Sequence, residues 1–214
     1  MKSSVGLILI AAGLAHASTI LLQSGVSDDE FNNITTTNVV LNDLEPKWTP
    51  GQDGASWISF EDTGWNSGTM SAVNTVPNST GENDPSAIFT QTFTDTNSPL
   101  DLTITVWADD SAVLFLDGVQ VGPNANFNQI SGDFCAPTGI TCDGPGTTYT
   151  INGLAAGLHT LTFDVYQIGS GSFGLMYEGT VTDSANPSVP EPGSYMLVGA
   201  GLTALALFRF KRAF

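Results

Sequence analysis

Asp109 and Asp110 are the most chemically suggestive pair in the sequence. They follow LDLTITVWA, a run whose alternation makes a strand, so the strand delivers two carboxylates side by side at its end. Adjacent carboxylates repel each other unless a cation or hydrogen-bond donors compensate. A hard divalent ion takes six to eight oxygens, so beyond this pair it would need more from a loop such as NANFNQ (124–129). The alternative is that both are turn residues bonded to their own backbone. The other reactive types are sparse. Cys135 and Cys142 flank APTGIT, and in an oxidising compartment they read as a local disulfide. His159 lies inside a predicted strand, and no histidine follows it, so GSGSFG (169–174) is not a nucleophile elbow. Acidic residues number 21, which leaves an Asp/Glu hydrolytic pair open without singling one out.

The elements that must position these residues are strands. Segments rich in Val, Ile, Thr, Phe and Tyr alternate with Gly/Asn/Asp/Pro clusters at 19–24, 35–41, 55–61, 87–94, 100–108, 112–117, 147–153, 157–168 and 172–182. In the fifth, Leu102, Ile104, Val106 and Ala108 share one face, with Thr103, Thr105 and Trp107 on the wetter one. In the eighth, Leu161, Phe163 and Val165 face Thr160, Thr162, Asp164 and Tyr166 across the strand. One core face and one wet face per strand predict an all-β fold, a single antiparallel β-sandwich of jelly-roll type over residues 18–183. Asp117-Gly118 predicts a two-residue hairpin turn, and 66–85 and 122–147 read as surface loops, the second pinned by the cysteines.

Charge sets limits on partners. Of five basic residues, Lys2, Arg209, Lys211 and Arg212 belong to the ends, leaving Lys47; of 21 acidic residues all but Glu191 lie between 18 and 189. That section therefore carries 20 − 1 = 19 net negative charges. Such a surface repels phosphate backbones and excludes a nucleic-acid partner. It attracts divalent cations or keeps an exported protein soluble.

The two ends read as address labels. Residues 1–17 form a signal peptide, with Lys2 before an apolar run and Ala15-His16-Ala17 as the cleavage site, so cleavage follows Ala17. That implies the Sec translocon and signal peptidase as partners. Residues 184–192 read as a linker, and 193–214 as a short transmembrane helix with a basic end. Arg209, Lys211 and Arg212 hold that end in the cytoplasm, leaving the sandwich outside. Pro190-Glu191-Pro192, then Gly193, an apolar span and the basic cluster, resembles the PEP-CTERM sorting signal of Gram-negative bacteria over 189–214. The resemblance implies processing by exosortase at the inner membrane, which anchors the protein transiently. Cell surface or extracellular matrix follows, in bacteria that make exopolysaccharide.

Within the middle section, VWADDSAVLFLDG and, further on, GLHTLTFDVYQIGSGSFGLMYEG resemble protective-antigen-like and related jelly-roll carbohydrate-binding modules. The resemblance implies glycan binding, with Ca²⁺ held at Asp109 and Asp110. Trp57, Trp65, Trp107 and Tyr166 would stack on sugars if exposed, the alternative being core or edge packing. The reading is a non-catalytic, exported surface or matrix protein that binds glycan. The alternative is a secreted carbohydrate-active hydrolase using an Asp/Glu pair.

Overall fold

The computed structural model describes residues 19–25, 30–31, 38–66, 69–70, 76–96, 99–127, 135–168 and 171–183. Ala17, the PEP tripeptide Pro190–Pro192, the apolar span and Arg209, Lys211 and Arg212 lie outside the described residues. Thr19–Ala185 is one compact unit.

Every regular element among the described residues is a strand. The longest ones form where apolar and polar residues alternate. β8 (Leu100–Asp109) buries Leu100, Leu102, Ile104 and Val106 completely, and β12 (Gly157–Tyr166) does the same with Leu161, Phe163 and Val165. With β7 (Ala87–Asp95), β9 (Ser111–Leu116), β11 (Thr147–Leu154) and β13 (Gly174–Asp183) they are the body of two antiparallel sheets. The first has the order β11-β8-β13-β4-β3, with β4 at Ile58–Ser59 and β3 at Val39–Val40. β1 (Thr19–Gln23) pairs with the C-terminal half of β13. The second sheet has the order β10-β9-β12-β7-β2, with β10 at Val119–Val121 and β2 at Glu30–Phe31. A small hairpin joins β5 (Trp65–Asn66) to β6 (Thr69–Met70).

The inner faces meet in one core, in which Phe163 of the second sheet stacks on Tyr177 of the first with ring centroids 4.5 Å apart. The expected all-β antiparallel sandwich is the observed one. The predicted hairpin is also present: Leu116 pairs with Val119 across Asp117 and Gly118, both at positive φ (51° and 76°) as such a turn requires.

The segment read as a surface loop at 66–85 departs from that reading at its end. Val76 is buried in the core, and the backbone N–H groups of Ser79 and Ser86 donate to the carbonyls of Gln167 and Val165. Chain that runs alongside β12 satisfies its backbone groups there rather than in water.

The ladders give the sandwich two unlike poles. Thr19 pairs with Thr182, so the first and last strands leave the domain at the same end, where Leu154 and Asp183 also pair with Leu100. Asp109 pairs with Gly174 at the other end. The disulfide loop and the Trp48–Trp57 stack gather at that second pole.

Candidate functional site

Asp109 closes β8 in the first sheet, and Ser111 already belongs to β9 in the second, so Asp109 and Asp110 form the corner where the chain changes sheets. The sequence places the pair at a strand end emerging from the sheet. The strand end is observed, but both residues are buried, at 2% and 4% exposure. Trp48 covers Asp109 and donates its indole N–H to Oδ2 at 2.8 Å. The backbone N–H of Ile168 donates to Oδ2 of Asp110 at 2.6 Å, and that of Ala136, in the disulfide loop, donates to the Asp110 carbonyl at 3.1 Å. Burial, then the charge of Asp110 and a hydrogen bond between the two side chains, push the Asp109 carboxyl well above the usual carboxylate range. The Trp48 bond opposes this, and Glu45 adds a further repulsion. The corner is thus a pair of carboxyl groups bridged by a hydrogen bond.

As a calcium shell the corner is incomplete on the described residues. No group of three or more His, Cys, Asp or Glu side chains gathers closely enough to hold a metal among them. Of the loop oxygens expected to help, Asn124 Oδ1 accepts from Gln120 and Asn126 donates its amide to Thr138. Positions 128 and 129 lie outside the described residues.

Cys135 and Cys142 are joined, with Cα atoms 5.1 Å apart. Their loop lies over Trp107, whose indole N–H donates to the Gly144 carbonyl at 3.1 Å. This is why Trp107, on the wet face of β8 by alternation, is only 2% exposed. Gly146 (φ +73°) packs so closely on that ring that any side chain there would collide with it. Trp57 and Tyr166 are buried as well, so neither forms a stacking platform, and Trp65 is half-buried.

His159 is a clamp rather than a catalytic base. Its Nδ1 lies 2.7 Å from Oδ2 of Asp117 and its Nε2 lies 2.8 Å from the Ala155 carbonyl. Both partners are acceptors, so only the doubly protonated ring satisfies both. It ties the β9–β10 turn to the β11–β12 turn.

Two open concavities are found among the described residues: one of about 520 Å³ within the disulfide loop, and one on the outer face of the first sheet. Register aligns outward residues from four strands in rows. Leu21, Thr180, Thr103 and Thr150 form one row; Gln23, Glu178, Thr105 and Thr148 form the next. Neighbouring strands stand about 4.8 Å apart, and Thr105 and Thr148 share a hydrogen bond of 2.9 Å across them. A trough of about 310 Å³ runs over this face, lined by Leu21, Gln23, Thr103, Thr105, Glu178 and Thr180, with Asp53 on its wall. Gln23 holds the Asp53 segment by donating to its carbonyl at 2.5 Å. Partial burial, then the nearby Asp53 charge, raise the Glu178 carboxyl. The sequence reading marks Thr103 and Thr105 as wet-face residues but does not single out Asp53 or Glu178. The signal was the Thr-x-Thr spacing in three separate strands, DLTIT, TTYTI and GTVT.

Two antiparallel sheets packed face to face on one core, with polar side chains in a trough on an outer face, define an all-β sandwich. The chain is similar to a family 35 carbohydrate-binding module from Clostridium thermocellum, at 12% identity and a TM-score of 0.41 over 76% of this chain and 97% of that one. It is also similar to the CBM35 of Cellvibrio japonicus Abf62, at 13% identity and a TM-score of 0.39, covering 77% and 92% of the two chains. A third similar structure is the CBM35 from Paenibacillus barcinonensis, at 14% identity and 0.35, covering 78% and 99%. At such identities the similarity is one of strand arrangement. No curated protein matches the sequence. Residues 188–212 match the PEP-CTERM protein-sorting motif. The motif implies an exported, membrane-processed protein with exosortase as its processing partner.

Proposed function

We propose that this chain is an exosortase-sorted cell-surface or matrix protein whose sandwich binds glycan without catalysis. The sorting motif at 188–212 carries the first half of that reading. The second half is supported by the trough, where sugar hydroxyls would meet a grid of side-chain hydroxyls, an amide and two carboxylates in place of water. The route runs through the Sec translocon, signal peptidase cleavage after Ala17, a transient membrane anchor and removal of the tail at Pro190–Pro192. Exopolysaccharide at the cell surface is the partner.

Asp53 and Glu178 also give the hydrolytic alternative its best-placed pair, because both line one trough and the Glu178 carboxyl is raised by partial burial and the Asp53 charge. Affinity electrophoresis of residues 18–188 in gels cast with polysaccharides, together with an assay for new reducing ends, separates the readings. Retardation with no reducing ends is the expected result. Reducing ends that disappear in Glu178→Gln would establish the hydrolase, and no retardation in any gel would remove the glycan ligand.

A further inference from the structure

We infer that the trough selects polysaccharides bearing free amino groups, an inference that rests on the glycan-binding reading above. Asp53 and Glu178 both line the trough, and the Asp53 charge acts on Glu178. Among the described residues, the Glu178 carboxylate has neither a hydrogen-bond donor nor a cation against it, and Lys47 is the single Lys or Arg between 18 and 189. Two neighbouring carboxylates with no cation of their own favour a ligand that brings one. A divalent ion would answer the charge alone, but the rest of the lining does not suit it. Thr103, Thr105 and Thr180 stand in rows and match a chain of hydroxyls, while Leu21, 63% exposed at the lip, suits the apolar face of a sugar ring. The 19 net negative charges of the section act in the same direction. They repel uronate or sulfated chains and speed the approach of cationic ones.

Calorimetry of residues 18–188 at 0.15 M NaCl tests this with three probes: a glucosamine oligomer with free amines, a neutral glucan oligomer and a polyuronate oligomer. The core is built from residues between 20 and 181, so this fragment contains all of it. The glucosamine oligomer should bind most tightly and the polyuronate not at all. Glu178→Gln should weaken the glucosamine oligomer about tenfold. Glu82→Gln, which removes the same charge from an exposed position outside the trough, should change it by less than about twofold. Thr103→Val keeps the β-branched shape and the net charge but removes a hydroxyl, and should weaken amino and neutral oligomers alike. Equal losses in Glu178→Gln and Glu82→Gln would show attraction by net charge only and overturn the inference. Neutral oligomers binding as tightly as amino ones, lost in Thr103→Val but not in Glu178→Gln, would overturn the amino class and leave glycan binding standing. Binding of none of the three would overturn this inference, while the affinity gels, which sample other polysaccharides, judge the broader reading separately.

Discussion

Asp109 and His159 each contribute a stability that falls with rising pH, and the two can be told apart. Asp109 has a raised carboxyl in the folded chain because burial and Asp110 disfavour its charge. Its penalty is absent below the unfolded carboxylate value near 3.9 and grows as pH rises through the folded value. Asp109→Asn mimics the protonated form and keeps a donor toward Asp110. It should raise the melting temperature at pH 8, with the gain shrinking toward pH 4, in EDTA. A variant that melts below wild type in EDTA at pH 8 would mean the carboxylate is not under strain from its surroundings. The same pair carries the calcium expectation. A bound ion would raise the wild-type melting temperature in a way that survives 0.5 M NaCl and vanishes in Asp109→Asn with Asp110→Asn. His159 behaves differently. Burial alone would lower its pKa, but the hydrogen bonds to Asp117 and to the Ala155 carbonyl, with the Asp117 charge, outweigh burial and raise it. Its contribution is complete below the unfolded value near 6.5 and is lost as pH rises through the folded value. Thermal melts of His159→Gln from pH 5.5 to 8.5 should show a flatter pH slope than wild type, whatever the shift in absolute stability. An unchanged slope would mean the imidazolium is not the species that ties the turns. Because Asp117 is 45% exposed, added salt should shrink the wild-type slope.

At the scale of elements, the disulfide loop decides how the far pole is roofed. The Thr49 N–H donates to the Cys142 carbonyl at 3.0 Å, and the Ala108 N–H to the Thr141 carbonyl at 3.1 Å. Loop and sheet end therefore hold each other. Cys135→Ser should lower stability by about 2.5 kcal/mol from loop entropy, a fall of about 5–10 °C in melting temperature for a domain of this size. Native protein should show no free thiol; two free thiols per chain would break the pairing. How much of this was legible in the sequence depends on the range of the interaction. β8 and β12 appear within two residues of their expected ends because alternation is local and strong over ten residues. Of the strands expected at 35–41 and 55–61, the described residues show Val39–Val40 and Ile58–Ser59, which pair with each other, and only Ile58 pairs with β13, so the partner ladder rather than the local pattern sets the limits of β4. The trough was hidden for the same reason. Each Thr-x-Thr face is readable alone, but only the register Leu21–Thr180–Thr103 brings them into one row, and no local pattern places Asp53 beside Glu178. The corner was half legible: alternation located Asp109, while the cover of Trp48 and the 135–147 loop came from tertiary contacts.

For the whole molecule, the order of strands and the position of the sorting motif fit together. β13 is an interior strand, flanked by β8 on one side and by β1 and β4 on the other, and it ends at Asp183, shortly before the sorting motif at 188–212. The first sheet therefore closes only after nearly the whole of residues 19–183 is available, including the pairing of Thr19 with Thr182. Among the described residues, the core and the trough are built from positions 20–181. Loss of the tail should leave the sandwich with the same melting temperature. Processing should depend on the proline-bounded tripeptide rather than on anything in the fold. Replacing Pro190, Glu191 and Pro192 with alanine tests this in a host that carries exosortase. Export and the disulfide should be unchanged, while the variant stays in the membrane fraction with its tail and the parent chain is released from it. Mass spectrometry of the two products reads the tail directly. Release of the alanine variant to the same extent as the parent would refute the sorting reading. A variant lost before export would show up as retained signal peptide, a different defect that leaves its trace at Ala17 rather than at the tripeptide.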